Sequence, residues 1–111
     1  MTIQMKKLLV DALMAADSIN EFLKEKLEED FKNDLLLRSA VERQLITVGE
    51  ALNLASSEKE DLELDIPELW AVVGLRNRLV HAYSLTDYDV LWNIVKINLP
   101  SLAQRLRKLI D

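Results

Sequence analysis

The chain has 111 residues, half of them hydrophobic, and a formal net charge of −5. This length fits one domain covering residues 1–111, which buries roughly two-thirds of its unfolded surface. The absence of cysteine excludes disulfides, thiolate metal sites and a cysteine nucleophile, and a single histidine argues against a metal site within one chain.

Two stretches of the sequence bear on its location. The longest apolar run, LWAVVGL at residues 69–75, is far too short to cross a bilayer. The N-terminal stretch MTIQMKKLLVDALMAAD has acidic residues and amphipathic spacing, which favour a helix over a signal peptide. We therefore expect a cytoplasmic protein that does not associate with a membrane.

Apolar spacing in the first half of the chain predicts two long helices. The first runs from about Ile3 to Glu28, and the second from about Asp34 to Ala55. Either Asn33 or Asp34 is suited to cap the second helix. The polar, acidic stretch SSEKEDLELD that follows predicts a loop with room for one helical turn.

The second half predicts two further helices. The third runs from about Pro67 to His81, because proline suits the first turn of a helix. Thr86 and Asp89 resemble a capping box at the start of the fourth, which Pro100 should kink or split. Long amphipathic helices with short connections predict an all-α, up-and-down bundle of four or five helices.

Arg76 falls in the middle of the apolar side of the predicted third helix. A guanidinium in that position is costly unless a partner satisfies it. An acid such as Glu50 can do so, or Arg76 lines a cavity or a subunit interface.

His81, the only histidine, lies about 140° around the same helix from Arg76. The two side chains converge only if the helix ends or distorts before His81, or if two copies of the chain face each other. Asn77 shares a face with His81 and can hydrogen-bond to it. The net charge argues against a generic nucleic-acid binder, yet residues 69–86 hold two arginines, the histidine and no acid.

Two stretches of this sequence resemble a known family. RNRLVHAY, residues 76–83, resembles the Arg-x4-His-x-Tyr signature of the HepT toxins, within the HEPN superfamily of helical ribonucleases. AVERQLITVGEALN, residues 40–53, is similar to a second segment of that family. The likeness spans nearly the whole chain, and every element of the motif is retained.

The resemblance implies a HEPN-like homodimer that cleaves RNA without a metal or another cofactor. Arg76 and His81 would be its catalytic residues in a cleft between two copies. Imidazole serves as acid or base near neutral pH, and a guanidinium offers a planar donor fork to the phosphate. Asn77 would orient His81 or touch the substrate, and Arg78 is a candidate phosphate contact. A two-fold dimer would also supply the second titrating group that an acid–base mechanism uses.

The resemblance also implies a partner and a means of control. HepT proteins are usually encoded beside a nucleotidyltransferase antitoxin, MntA, in type VII-like toxin–antitoxin systems. That partner transfers AMP to the tyrosine of the motif, which is Tyr83 here. The added bulk and phosphate charge would block a cleft built for RNA phosphates. Transfer RNA is the target that the superfamily suggests, with messenger RNA as the alternative.

Two other functions remain open from the sequence. The chain could be a non-catalytic, nucleotide- or partner-binding subunit of a nucleotidyltransferase, in which Arg76 and His81 only contact phosphate. It could also be a structural adaptor that dimerises through its apolar faces. The intact Arg-x4-His pair favours the ribonuclease over the non-catalytic subunit. The adaptor predicts that Arg76→Ala and His81→Ala leave every cellular phenotype unchanged.

Overall fold

A computed structural model describes residues 1–81 and 87–111, and this part of the chain is almost entirely helical. The elements in chain order are α1 (Ile3–Phe22), α2 (Glu28–Asn33), α3 (Leu35–Glu58), α4 (Leu62–Asp65), α5 (Leu69–His81), α6 (Tyr88–Asn93), a π-helical turn (Ile94–Asn98) and α7 (Leu99–Ile110).

The four long segments predicted from apolar spacing are α1, α3, α5 and the rod formed by α6, the π turn and α7. Helix α1 packs against α3 and α7, and α3 packs against α5. One aliphatic core lies between them, and its fully buried members include Leu9, Ile19, Leu45, Leu52, Leu69, Leu99 and Leu102. The all-α bundle is thus confirmed, and α3 lies against the helix that carries the Arg-x4-His motif.

The predicted first helix is too long. Helix α1 ends at Phe22, and Glu25 adopts a left-handed backbone conformation with φ of 62°. Because a left-handed residue cannot continue a right-handed helix, the chain turns there and starts the separate helix α2. Asp34, one of the two predicted caps, accepts a hydrogen bond of 3.1 Å from the Leu37 amide at the start of α3.

The predicted break at Pro100 takes the form of a π-helical turn directly before α7. Proline has no amide hydrogen for the carbonyl four residues earlier, and the turn instead directs the Leu99 amide to the Ile94 carbonyl. At the start of α6, Asp87 accepts from the amides of Asp89 and Val90 at 2.9 and 3.3 Å. Asp87 therefore has the capping role predicted for Thr86, which lies outside the described residues.

Helix α2, which apolar spacing does not predict, fastens the start of α6 to the bundle. Phe31 is fully buried, with its ring centroid 6.4 Å from that of Tyr88 and 5.5 Å from that of Trp92. Lys32 pairs with Asp89, which lowers the pKa of that carboxyl and raises the pKa of the Lys32 amine. These contacts hold the chain in place just after residues 82–86.

No helix within residues 1–81 and 87–111 has both the length and the apolar character needed to span a bilayer.

The joint between α2 and α6 predicts a large effect of Phe31→Ala on stability. Removing a fully buried phenyl ring should lower the free energy of unfolding by about 3–5 kcal/mol. Urea denaturation measures this loss, and Phe22→Ala, which truncates an exposed ring, is the matched control. A loss below about 1 kcal/mol for Phe31→Ala would contradict the packing described here.

Candidate active site

Helix α5 carries the motif and is anchored to the bundle on one side. Its buried residues are Leu69, Val72, Val73 and Leu75. Glu68, directly before the helix, is buried and accepts a hydrogen bond of 3.1 Å from Nε of Arg105 on α7. The carbonyl of Glu68 also accepts from the Val72 amide and so begins the helical hydrogen-bond pattern. Glu68 therefore ties the start of α5 to α7, while α5 itself packs against α3.

The stem of Arg76 lies directly on the backbone of α3 at Gly49. A Cβ atom placed on Gly49 would be 2.3 Å from Cβ and 2.7 Å from Cγ of Arg76. Real Cβ atoms do not approach so closely, and the nearest atom belongs to the start of the Arg76 side chain, which cannot swing aside. Gly49 is thus the residue that lets α5 come this close to α3.

The guanidinium of Arg76 is held on two sides. Its Nη2 donates to Oε1 of Glu50 at 3.1 Å, and its Nη1 donates to Oδ1 of Asn77 at 2.9 Å. The side chain of Arg76 is 24% exposed and that of Glu50 is 50% exposed. Of the three possibilities that the sequence left open for Arg76, pairing with Glu50 is therefore present, and the guanidinium still reaches the surface.

The Nε atom of Arg76 is buried, and within the described residues it has no hydrogen-bond partner. Each terminal nitrogen of the guanidinium carries two N–H groups and uses one of them on Glu50 or Asn77. One N–H on each terminal nitrogen is left for a further acceptor. A phosphate oxygen is an acceptor that suits this planar, charged donor.

His81 is exposed and is the last residue of α5. The helix remains α-helical up to it, so the distortion that would bring His81 towards Arg76 is not found. In the part of the chain that is described, no hydrogen bond joins these two side chains, and Asn77 bonds to Arg76 rather than to His81. Arg78 is exposed on the same last turn.

The described residues leave the outward face of α5 uncovered around Gly74. A Cβ atom placed on Gly74 would have no atom within 4 Å among the described residues. Trp70, one helical turn earlier, is 51% exposed, and its indole N–H donates to Glu63 at 2.6 Å. Trp70 is therefore not a core residue of the single chain, whereas Trp92 packs against the core. By helical spacing, Trp70, Gly74 and His81 share one face.

Tyr83 lies in residues 82–86, outside the described part of the chain. Within residues 1–81 and 87–111, no three His, Asp or Glu side chains stand close enough together to hold a metal ion.

Sequence reasoning proposed Arg76, Asn77, Arg78 and His81 as site residues and Glu50 as a possible partner of Arg76. It missed the role of Gly49. The signal was present, because VGEA places a glycine in the middle of a helix, where glycine costs roughly 1 kcal/mol relative to alanine. The sequence alone does not reveal which side chain packs against α3 at that glycine.

Comparison with known proteins places the chain in a family. Residues 12–109 match the family model described as "Ribonuclease HepT-like". A Thermococcus cleftensis protein named "Probable ribonuclease HepT" is 37% identical over 105 residues, which cover 94% of this chain and 94% of that protein. "Putative RNase MJ1380" of Methanocaldococcus jannaschii is 35% identical over 102 residues, covering 91% of this chain and 92% of the relative.

These matches assign the protein to a class of helical ribonucleases. The chain belongs to the HepT-like ribonuclease family. No solved structure matches the chain significantly.

The close approach at Gly49 predicts a net loss of stability in Gly49→Ala. Alanine gains about 1 kcal/mol in helix propensity over glycine, but its methyl group would force α3 and α5 apart at Arg76. We expect the clash to exceed this gain and to lower the free energy of unfolding by about 1–3 kcal/mol. Asn53→Ala, at an exposed position of α3, controls for propensity. A Gly49→Ala protein more stable than wild type in urea would contradict the contact.

Proposed function

We propose that this chain is a metal-independent endoribonuclease toxin of a type VII-like toxin–antitoxin system, acting in the cytoplasm. Its site would be formed by Arg76 and His81 in the cleft of a homodimer. The observation that carries the proposal is the guanidinium of Arg76, which α3 holds at the surface with free donors, on the same helix as the exposed His81.

The proposed reaction uses the ribose 2′-hydroxyl as its nucleophile. A base takes the proton of the 2′-hydroxyl, the 2′-oxygen bonds to the adjacent phosphorus, and the bond to the 5′-oxygen breaks. An acid gives the departing 5′-oxygen a proton, so the products are a 2′,3′-cyclic phosphate and a 5′-hydroxyl. Imidazole suits both proton transfers, and Arg76 would stabilise the charge that builds up on the phosphoryl oxygens.

The proposed homodimer solves a problem of geometry in the single chain. Arg76 and His81 point to different sides of a regular α5, so one copy does not bring them together. Gly74 supports a second copy on this face, because a mid-helix glycine costs stability and none of its neighbours within residues 1–81 and 87–111 requires it. Trp70, half-exposed beside it, would be covered in such an interface.

The remaining site residues have supporting parts in this proposal. Asn77 would brace Arg76, since it accepts from the guanidinium, rather than orient His81. Arg78 is exposed and would contact an RNA phosphate, and transfer RNA remains the substrate that we favour.

The proposed control is AMP transfer to Tyr83, two residues after His81 in the chain. The partner would be a nucleotidyltransferase antitoxin. The phenolic oxygen would attack the α-phosphorus of ATP, and pyrophosphate would leave. An added AMP near Arg76 and His81 would bring negative charge where an RNA phosphate has to bind.

Cleavage of RNA in the presence of EDTA should depend on Arg76 and His81. Loss of an acid–base group or of a charge-stabilising donor typically costs roughly 10²–10⁴-fold in rate. We expect losses of this size in His81→Ala and in Arg76→Lys, which keeps the charge but lacks the planar fork. Rates on purified RNA measure them, and Lys108→Ala, at an exposed end of α7, is the control.

If neither wild type nor His81→Ala cleaves RNA, and the protein binds tightly to a nucleotidyltransferase, the result would favour the non-catalytic subunit instead. If expression of His81→Ala and of Arg76→Lys still arrests growth, that result would likewise contradict the ribonuclease site.

The proposed interface predicts that Gly74→Leu weakens self-association. A bulky side chain on the open face would hold the second copy away, while nothing in the described chain resists it. Sedimentation velocity should show dissociation at concentrations where wild type is dimeric, and RNA cleavage should fall with it. Gln104→Leu adds the same side chain to an exposed position of α7 and should change neither. If Gly74→Leu still forms an active dimer, the proposed interface is wrong.

Co-expression with an antitoxin of the nucleotidyltransferase class should leave Tyr83 heavier by the mass of AMP less water. Intact-mass and peptide mass spectrometry measure the modification, and Tyr83→Phe should remain toxic and escape silencing. Tyr88→Phe controls for loss of a hydroxyl nearby in the chain. A neutralised complex with unmodified Tyr83 counts against this form of control.

A further inference from the structure

Two successive residues of α3 determine where the guanidinium of Arg76 lies. Gly49 lets the stem of the side chain rest on the α3 backbone, and Glu50 accepts from its Nη2 at 3.1 Å. Asn77, from the helix of Arg76 itself, takes the other terminal nitrogen at 2.9 Å. The stem and both ends of the guanidinium are therefore restrained in the RNA-free chain.

We propose that Glu50 is a positioning residue for the ribonuclease reaction, one that orients Arg76 before RNA binds. The inference rests on the proposed function. An unrestrained arginine side chain has many rotamers, and ordering it on the substrate would raise the barrier to reaction. With Glu50 and Asn77 in place, the remaining N–H of each terminal nitrogen already has a defined direction when a phosphate arrives.

The ion pair is poorly suited to a role in stability alone. Glu50 is half-exposed and Arg76 about a quarter exposed, and such pairs contribute little to folding because water competes for both groups. The close packing of α3 and α5 comes from Gly49 and the apolar residues around it. Loss of the Glu50 carboxylate should therefore leave the fold intact while it frees the guanidinium.

The charge of Glu50 and its hydrogen bond act in opposite directions on the reaction. Its negative charge opposes RNA, because it reduces the positive potential at Arg76. Its hydrogen bond favours the reaction, because it fixes the direction of the donors. Glu50→Gln removes only the charge, since the amide oxygen still accepts, whereas Glu50→Ala removes both.

Steady-state rates of cleavage over a range of RNA concentrations separate these effects. For Glu50→Gln we expect kcat within about threefold of wild type and a lower KM, because repulsion of the phosphates is gone. For Glu50→Ala we expect kcat at least tenfold lower with no rise in KM. Asp17→Ala is the control, because it breaks an ion pair between α1 and α7 whose carboxylate is about as exposed as that of Glu50, and it should change neither constant.

A second readout needs no activity. The Nε–H of Arg76 is buried, so its ¹⁵N-correlated NMR signal should be protected from exchange in wild type and in Glu50→Gln. In Glu50→Ala the signal should broaden or disappear, while the backbone spectrum and the unfolding midpoint stay close to those of wild type.

The outcomes separate the two proposals. A Glu50→Ala protein with wild-type kcat overturns the positioning role while the ribonuclease stands. If wild type cleaves no RNA, the proposed function is wrong. In that case the NMR signal of the Arg76 Nε–H alone decides whether Glu50 orders Arg76. A Glu50→Ala signal as sharp and protected as that of wild type overturns the role in either case.

Discussion

The guanidinium of Arg76 lies where α3 and α5 press together, and the rest of the site depends on how that group is accommodated. A charge on the apolar side of a helix would normally weaken the core. Here Gly49 has no side chain, so the aliphatic stem of Arg76 can pack on the α3 backbone. Glu50 and Asn77 hold its guanidinium at the surface. The same packing that completes the bundle thus presents a fixed cation to solvent.

Sequence periodicity predicted the parts of the fold in which one face of a long helix is buried. It located the four long segments. Residue type narrowed the cap of α3 to Asn33 or Asp34 and predicted the disruption at Pro100, because both features depend on residues close in sequence. Periodicity did not find α2, which has six residues, too few for a periodic pattern. The position of α2 depends on Phe31 meeting Tyr88 and Trp92, a contact between distant parts of the chain.

The candidate site likewise has features that the sequence predicted and features that it could not predict. Helical spacing was enough to place Arg76 on the apolar side and to separate it from His81. The cost of an unpaired guanidinium there made an acid such as Glu50 one of three possible explanations. The close approach at Gly49 could not be predicted, because it requires the distance between two helix axes. Nor could spacing alone choose between a distorted helix and a second copy, whereas the regular course of α5 up to His81 favours the second copy.

In this account, each chain brings a restrained Arg76, an exposed His81 and an open helix face around Gly74. A second copy would complete a cleft in which two such sets act on one RNA phosphodiester. Membership of the HepT-like ribonuclease family supplies the class of reaction. The geometry accounts for Glu50 and Gly49 beside Arg76, and it supports the proposed dimer.

The most direct test of the account is the chemistry of the RNA ends that the purified protein makes. Attack by the 2′-hydroxyl, with Arg76 and His81 at the phosphate, predicts 2′,3′-cyclic phosphate and 5′-hydroxyl ends at defined positions, both absent with His81→Ala. Ends with a 3′-hydroxyl and a 5′-phosphate, or the same ends made equally well by His81→Ala, would contradict it.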